Sequence, residues 1–381
     1  MAEFERERER LADTMDKRGA WPARSPWIRE AVDTLPRHAF APDRLWRWDG
    51  GAYTPVDRAT DAEQWADEVY ADPDTAAVTQ VGDGVATSSL SSQGVVVDML
   101  DSLLLEPGHA VLELGAGTGW NAALLARRAA PGRVVSVEVD AELADRARAR
   151  LAAVGAAVDV EVGDGTKGWP AGAAYDRVMA TYAVERVPWA WVEQTRPGGR
   201  IVTPWGRLGH VALTVAADGR SASGWMQGLG QFMPARGVPG YAESGYAAVR
   251  GREPATRQRE FTRDLTVLRD DTHLLFALRV ALPDLRISSA TDADGVNAWL
   301  HDGRSSWAAF SVHDTGRTTA YEGGPRSLTD ELELAWDQWL AADRPDVYDH
   351  GMTVTATEQF VWVHNPDRVV RGQATASRCG A

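Results

Sequence analysis

From Val111 onward, apolar positions gather in short aliphatic runs, each followed by a stretch with helical spacing. The series reads AVLELG, NAALLARRA, RVVSVEV, AELADRARARLAAVG, VDVEVGDG, YDRVMATYA, WAWVEQTRPGG and RIVTPWG. β-Branched runs alternating with helical segments predict crossover units, hence an α/β layer with a mainly parallel sheet and flanking helices. HVALTVAADGRSASGWMQ predicts a final hairpin turning at Asp218-Gly219, so this layer ends near residue 235.

The flanks have a different texture. ERERERLADTMDKRG predicts a helix whose Glu and Arg neighbours pair across one turn. SPWIREAVDTL predicts a second, with Ser25 as cap and Pro26 at the first helical position. PRHAFAPDRLW then breaks helicity. Past the layer, QFMPARGVPGYAESGY reads as a linker or ordered loop. HLLFALRVAL and EQFVWVHN read as strands. Ser327, with Asp330 three residues on, signals a helix that puts Leu328, Leu332, Ala335, Trp336, Trp339 and Leu340 on one face. The expected organisation is a helical segment over 1–80, a core over 81–235 and a C-terminal α+β domain over 236–381.

Composition narrows the function. The chain of 381 residues is 44% apolar without an apolar run near twenty, which predicts a soluble protein and no membrane association. MAEFERERERLADTMDKRGAW alternates acid and base where a signal peptide needs an apolar stretch, so a cytoplasmic location is expected. The single cysteine, Cys379, has no partner for a disulfide or a zinc-thiolate cluster, and the eight histidines show no metal-ligand spacing. A net charge of -14 opposes nucleic-acid binding. Core packing accounts for most of the sixteen tryptophans, and an aromatic peptide groove for some.

The chemistry gathers in VLELGAGTGWNAALLA. Gly115, Gly117 and Gly119 form G-x-G-x-G, one residue short of the dinucleotide fingerprint because position 120 is Trp. Such a turn lets a ligand approach the backbone while the next helix offers free N–H groups. Glu113 precedes it. Glu138 ends the following strand, where a carboxylate accepts hydrogen bonds from ribose hydroxyls. NAD and S-adenosylmethionine both satisfy these features. Asp164, between Gly163 and Gly165 after the third strand, is placed to face an adenine amine.

Glycine turn, acidic strand end and Asp-Gly in this order resemble class I S-adenosylmethionine-dependent methyltransferases, which implies a Rossmann-like fold with a mainly parallel seven-stranded sheet and flanking helices. VLELGAGTGWNAALLA, VVSVEVD, VGDGTKGWP, YDRVMATYAVERVP and QTRPGGRIVTPWG further resemble protein-L-isoaspartate O-methyltransferases in order and spacing. Trp120 and Asn121 match the aromatic residue and amide that follow that family's glycine turn. IREAVDTLPRHAFAP resembles its Pro-Arg helix, and DGVATSSLSSQGVVVDML its Thr-Ile-Ser-x-Pro segment. The resemblance covers residues 27–210. It implies S-adenosyl-L-methionine as cofactor, held by Glu113, Gly115, Gly117, Gly119, Trp120, Asn121, Glu138, Asp164 and Gly165. It implies Ser89 as the active-site serine, supported by Thr87 and Thr181, while Gln194 reads equally as helix surface.

Ser88 and Ser91 depart from the family's Ile and Pro, and Gly94 stands where His is common. With the long C-terminal extension, these departures resemble the branch that modifies ribosomally synthesised peptides such as lanthipeptides, lasso peptides and graspetides. The implied partner is a peptide bearing Asp or isoAsp, methylated to an ester that collapses to an aspartimide. General isoaspartyl repair is the alternative; a non-catalytic binding protein and a nicotinamide oxidoreductase are the readings of other classes.

Overall fold

The computed structural model describes residues 4–206, 208–236, 245–252, 254–313 and 316–374. Cys379 and the 237–244 part of the expected linker lie outside them. In chain order the first elements are α1 (Glu5–Arg18), α2 (Trp27–Thr34), β1 (Arg44–Trp48), β2 (Tyr53–Asp57), α3 (Ala62–Val69), β3 (Ala77–Gly82) and β4 (Val85–Leu90). The first 80 residues are therefore not purely helical: β1 to β4 form an antiparallel sheet in the order β2-β1-β3-β4. α1 reaches outward for charge partners, Arg10 to Asp67 and Arg18 to Asp72 and Asp74. α2 starts one residue later than expected, with Pro26 at the cap position and no side-chain cap.

The core follows as α4 (Gln93–Leu103), β5 (Ala110–Leu114), α5 (Trp120–Ala129), β6 (Arg133–Glu138), α6 (Ala141–Ala153), β7 (Asp159–Val162), β8 (Tyr175–Ala180), α7 (Trp189–Glu193), β9 (Thr195–Trp205), β10 (Gly209–Val215) and β11 (Ser221–Leu229). β5 pairs in parallel with β6 and β8, β6 with β7, and β8 with β9. The hairpin predicted at Asp218-Gly219 joins β10 to β11, with Gly219 at φ 69°. β5 and β6 are buried for nearly their whole length, as parallel strands covered on both faces must be. From β5 the chain builds outward on one side through β6 and β7 and on the other through β8 and β9, so the carboxyl ends of β5, β6 and β8 meet at the switch point where α/β sheets bind ligands.

The remaining elements are α8 (Tyr246–Arg250), β12 (Arg257–Phe261), α9 (Leu265–Asp270), α10 (Thr272–Ala281), β13 (Arg286–Thr291), β14 (Val296–His301), β15 (Trp307–Val312), β16 (Thr318–Gly323), α11 (Leu328–Ala341), β17 (His350–Thr355), β18 (Glu358–Val363) and β19 (Val369–Ala374). HLLFALRVAL is a helix, not a strand: Asp271 accepts from the N–H groups of His273 and Leu274 and nucleates α10. EQFVWVHN forms β18 as expected. In α11 the anticipated face is buried except for Leu340, which is 37% exposed. Ser327 sits at the cap position, but Glu322 does the capping by accepting from the Thr329 N–H, while Ser327 donates to Glu322.

The boundary near residue 235 is not a sheet boundary. β12 to β16 form their own five-stranded sheet over a separate core with α9, α10 and α11, but β17, β18 and β19 return to the central sheet, which is therefore a mixed sheet of ten strands rather than seven, in the order β19-β18-β17-β11-β10-β9-β8-β5-β6-β7. β17 pairs antiparallel with β11, and the Trp362 ring lies over Gly351 to meet Trp225 edge-on at 4.5 Å. Gln359 of β18 accepts from Val187 N–H at 2.9 Å and donates to the Glu185 carbonyl at 3.1 Å, so the last strands hold the loop that follows β8.

Candidate active site

A solvent-open cleft lies over the carboxyl ends of β5, β6 and β8, walled on one side by β4 and on another by residues 232–236. Its floor is the glycine turn. Gly115, Gly117 and Gly119 have φ of 98°, 52° and 90°, values a side chain resists. A Cβ at Gly115 would overlap the Thr181 hydroxyl and stand 3.0 Å from Tyr182. A Cβ at Gly117 would instead enter the cleft towards Ser89 O and Ser88 Oγ, 3.9 and 4.0 Å away. The turn thus needs glycine once for close packing and once for free space.

Glu138 supports the turn from β6. Its Oε2 accepts from Gly117 N–H at 2.9 Å and its Oε1 from Asp140 N–H at 3.2 Å, leaving the carboxylate at the cleft wall. Asp164 also lines the cleft, and its Oδ1 accepts from the Thr166 N–H and hydroxyl at 3.0 and 2.7 Å. These bonds, Thr166 foremost, hold its carboxyl below the ordinary carboxylate range. Gly165 packs against Tyr182, leaving no room for a Cβ there.

Glu113 is not part of the cleft lining. It is fully buried behind the turn, where Oε1 accepts from Asn121 Nδ2 at 2.8 Å and Oε2 from the Ser136 hydroxyl opposite it on β6. Burial pushes its carboxyl up to about 7 against the two hydrogen bonds. It therefore fixes Asn121, which does reach the cleft. Trp120 is 1% exposed; it forms part of the wall, donates to the Leu35 carbonyl and carries the Arg37 guanidinium on its ring at 4.7 Å. Arg37 donates to the Ser91 and Leu90 carbonyls and so ties the end of β4 to the start of α5.

The three hydroxyls proposed for the acceptor end differ in what they can still do. Thr181 Oγ1 donates to the Gly115 carbonyl at 2.6 Å, and Thr87 Oγ1 donates to Gln80 Oε1 at 2.9 Å, so both protons are committed. Ser89, half-buried on β4, lines the cleft and has no hydrogen-bond partner for its hydroxyl among the described residues. It alone of the three keeps a proton to donate to an incoming oxygen. Gln194 is not surface: it is 8% exposed, accepts from Trp169 N–H and donates to the Lys167 carbonyl, bracing the segment after Asp164.

Sequence reasoning missed Tyr182 and Arg236. The Tyr182 hydroxyl is buried in the cleft wall without a partner among the described residues, and burial raises its pKa. An unpaired buried hydroxyl beside a Gly-lined cavity, with a carboxylate at the end of the second strand, fits a nucleoside-bearing ligand. Its adjacency to Thr181 was a signal; Arg236, in a segment read as linker, offered none.

The family model for protein-L-isoaspartate(D-aspartate) O-methyltransferase matches residues 7–221. A protein-L-isoaspartate O-methyltransferase of Methanopyrus kandleri is 37% identical over 206 residues, spanning 53% of this chain and 78% of that protein. Protein-L-isoaspartate O-methyltransferase 1 of Rhodopseudomonas palustris is 33% identical over 265 residues, spanning 66% and 92%. A solved protein-L-isoaspartate O-methyltransferase aligns with 91% of this chain and 96% of its own at 22% identity and a TM-score of 0.48.

Proposed function

The chain belongs to the protein-L-isoaspartate(D-aspartate) O-methyltransferase family, and from that premise we propose that it esterifies an aspartyl or isoaspartyl side chain in a peptide, preferentially an Asp of a cyclised, ribosomally synthesised precursor. It is an S-adenosylmethionine-dependent methyltransferase. When bound, S-adenosyl-L-methionine supplies a methyl group activated by its sulfonium. Gly115, Gly117, Gly119, Glu138, Asp164 and Tyr182 would hold it.

The protein's own task is alignment. A peptide carboxylate, with a reference pKa of roughly 4, is already ionised at neutral pH and needs no base. Ser89 would donate to one carboxylate oxygen and leave the other to receive the methyl; Thr181 and Thr87 hold the walls on either side. Attraction between carboxylate and sulfonium grows as water is excluded, so a closed, oriented cleft does most of the work. The ester then loses methanol as the following backbone nitrogen closes a succinimide. The observation that carries this reading is the uncommitted hydroxyl of Ser89, a residue that lines the same cleft as the glycine turn.

Preference for a tailored peptide draws on the serine segment and on residues 257–341, whose separate sheet and core we assign to peptide recognition. The alternating acid and base of the N-terminal helix fit a cytoplasmic setting; among the described residues no helix is long and apolar enough to cross a membrane. General repair is the second reading, favoured by relatives matched over most of their own length. Mass spectrometry on the protein with S-adenosylmethionine and two peptides, one linear isoaspartyl and one cyclised with a normal Asp, decides. Gain of a methyl group and then loss of methanol on the cyclised peptide alone supports tailoring; the same on the linear peptide alone makes repair the function.

A further inference from the structure

Arg236 stands at the mouth of the cleft and joins three of its walls. The segment that carries it is pinned beside Thr181 and Tyr182, because Ala183 N–H donates to the Met233 carbonyl at 2.8 Å and Ala235 N–H to the Ala183 carbonyl at 3.1 Å. From there the guanidinium crosses the opening. Nη2 donates to the Thr87 carbonyl on β4 at 2.6 Å and to Gln80 Oε1 on β3 at 2.7 Å, while Nη1 donates to Asp140 Oδ2 at 3.0 Å.

Each partner is itself fixed. Gln80 Oε1 also accepts the Thr87 hydroxyl, and Gln80 Nε2 reaches Asp140 Oδ2 at 3.4 Å. Asp140 Oδ1 caps α6 through the N–H groups of Glu142 and Leu143, two residues after Glu138. The arginine side chain is 33% exposed and Asp140 21%, so the contact is partly screened from water. A planar cation with forked donors suits this bridge, whereas a point charge could reach only part of it.

We propose that Arg236 is a positioning residue for methyl transfer: by tying β4 to the start of α6 and to the segment beside Thr181, it sets the separation between Ser89 and the cofactor side of the cleft and closes the mouth over it. Ser89 lies two residues from Thr87 on the same strand, so release of the Thr87 carbonyl frees the strand that presents it. Loss of bonds to a charged group at a catalytic constellation is worth about ten- to a hundredfold in rate, because misplacement of the acceptor is as damaging as its loss.

The inference rests on the methyltransferase reading, and its test separates the two. S-adenosylhomocysteine binding and release are followed by tryptophan fluorescence and calorimetry on the wild type, Arg236→Gln, Arg236→Lys and Gln80→Leu, without any peptide. Turnover is then measured on whichever peptide the wild type esterifies. Arg236→Gln should release S-adenosylhomocysteine about tenfold faster and lose kcat with little change in peptide KM. Arg236→Lys should recover part of both, and Gln80→Leu should add little to Arg236→Gln in the double variant. Unchanged release and kcat in Arg236→Gln, with only the melting temperature lowered, would overturn the positioning role. Failure of the wild type to bind S-adenosylhomocysteine would overturn the underlying reading instead.

Discussion

Glu113→Gln isolates the cost of an ionised carboxyl behind the glycine turn. The residue is fully buried, and its carboxyl is pushed from 4.5 up to about 7 by burial, against the Ser136 and Asn121 hydrogen bonds. A folded-state value above the unfolded one means that folding favours the protonated form. Its stabilising contribution is complete below the unfolded value, is lost as pH rises towards 7 and changes no further above it. At about 1.4 kcal/mol per pH unit the whole displacement amounts to about 3 kcal/mol, of which about 2 kcal/mol falls between about pH 5.5 and about pH 8. Gln keeps the shape and can accept from Asn121 while donating to Ser136, but has nothing to ionise. Urea unfolding of both proteins at the two pH values gives the difference directly. Asp98, raised to about 6, and His210, lowered to about 4, titrate nearby but are common to both proteins and cancel. The variant should gain about 2 kcal/mol on the wild type as pH rises, with S-adenosylhomocysteine affinity preserved. An equal stability difference at both pH values would refute a protonatable Glu113, and a large loss of affinity would restore it to the cofactor contacts.

Ser89→Ala should lower kcat/KM for the peptide by about ten- to a hundredfold without weakening S-adenosylhomocysteine binding by calorimetry; an unchanged kcat/KM would remove the serine from the acceptor site. Thr181→Val, which severs the bond to the Gly115 carbonyl, should act in the opposite sense, weakening S-adenosylhomocysteine more than peptide KM. Gly115→Ala, at φ 98° and in overlap with Thr181, should reduce that affinity at least tenfold, since the strain alone is about 1–3 kcal/mol; normal affinity would show that the turn yields easily. Gly351→Ala must expel the Trp362 ring from its place over the backbone, at about 1–3 kcal/mol, visible as a lower urea midpoint with altered Trp225 and Trp362 emission.

The parts of the fold set by local pattern were legible. β5 and β6, the glycine turn and the β10–β11 hairpin follow from aliphatic runs broken by residues that tolerate positive φ, and the structure brings Gly115, Glu138, Asp164 and Ser89 to one cleft. Glu113 was placed in the cleft because it adjoins the turn, but successive strand residues face opposite ways, and its side chain points to Ser136. HLLFALRVAL was ambiguous because a short apolar run fits a buried helix as well as a strand; the deciding residue, Asp271, lies before it as a cap. Ser327 met the capping pattern, yet Glu322, from a neighbouring strand, took the role. Arg236 and the return of β17 to β11 depend on contacts between distant segments, which periodicity does not encode.

The pairing of β17 with β11 also imposes an order on the protein's birth. Everything needed for the glycine turn has left the ribosome by the time β11 is made, yet the outer edge of β11 must then wait for some 120 residues of intervening chain before residues 350–355 arrive to cover it. During that interval a nascent molecule carries an open sheet edge, a template for pairing with its neighbours. The loop after β8 waits too, because Gln359, which holds it, lies more than 150 residues further along the chain. A ribosome stalled before β18 would leave a chain with its glycine turn formed and the loop after β8 still unsecured, so the order of synthesis sets the order in which the cleft is assembled.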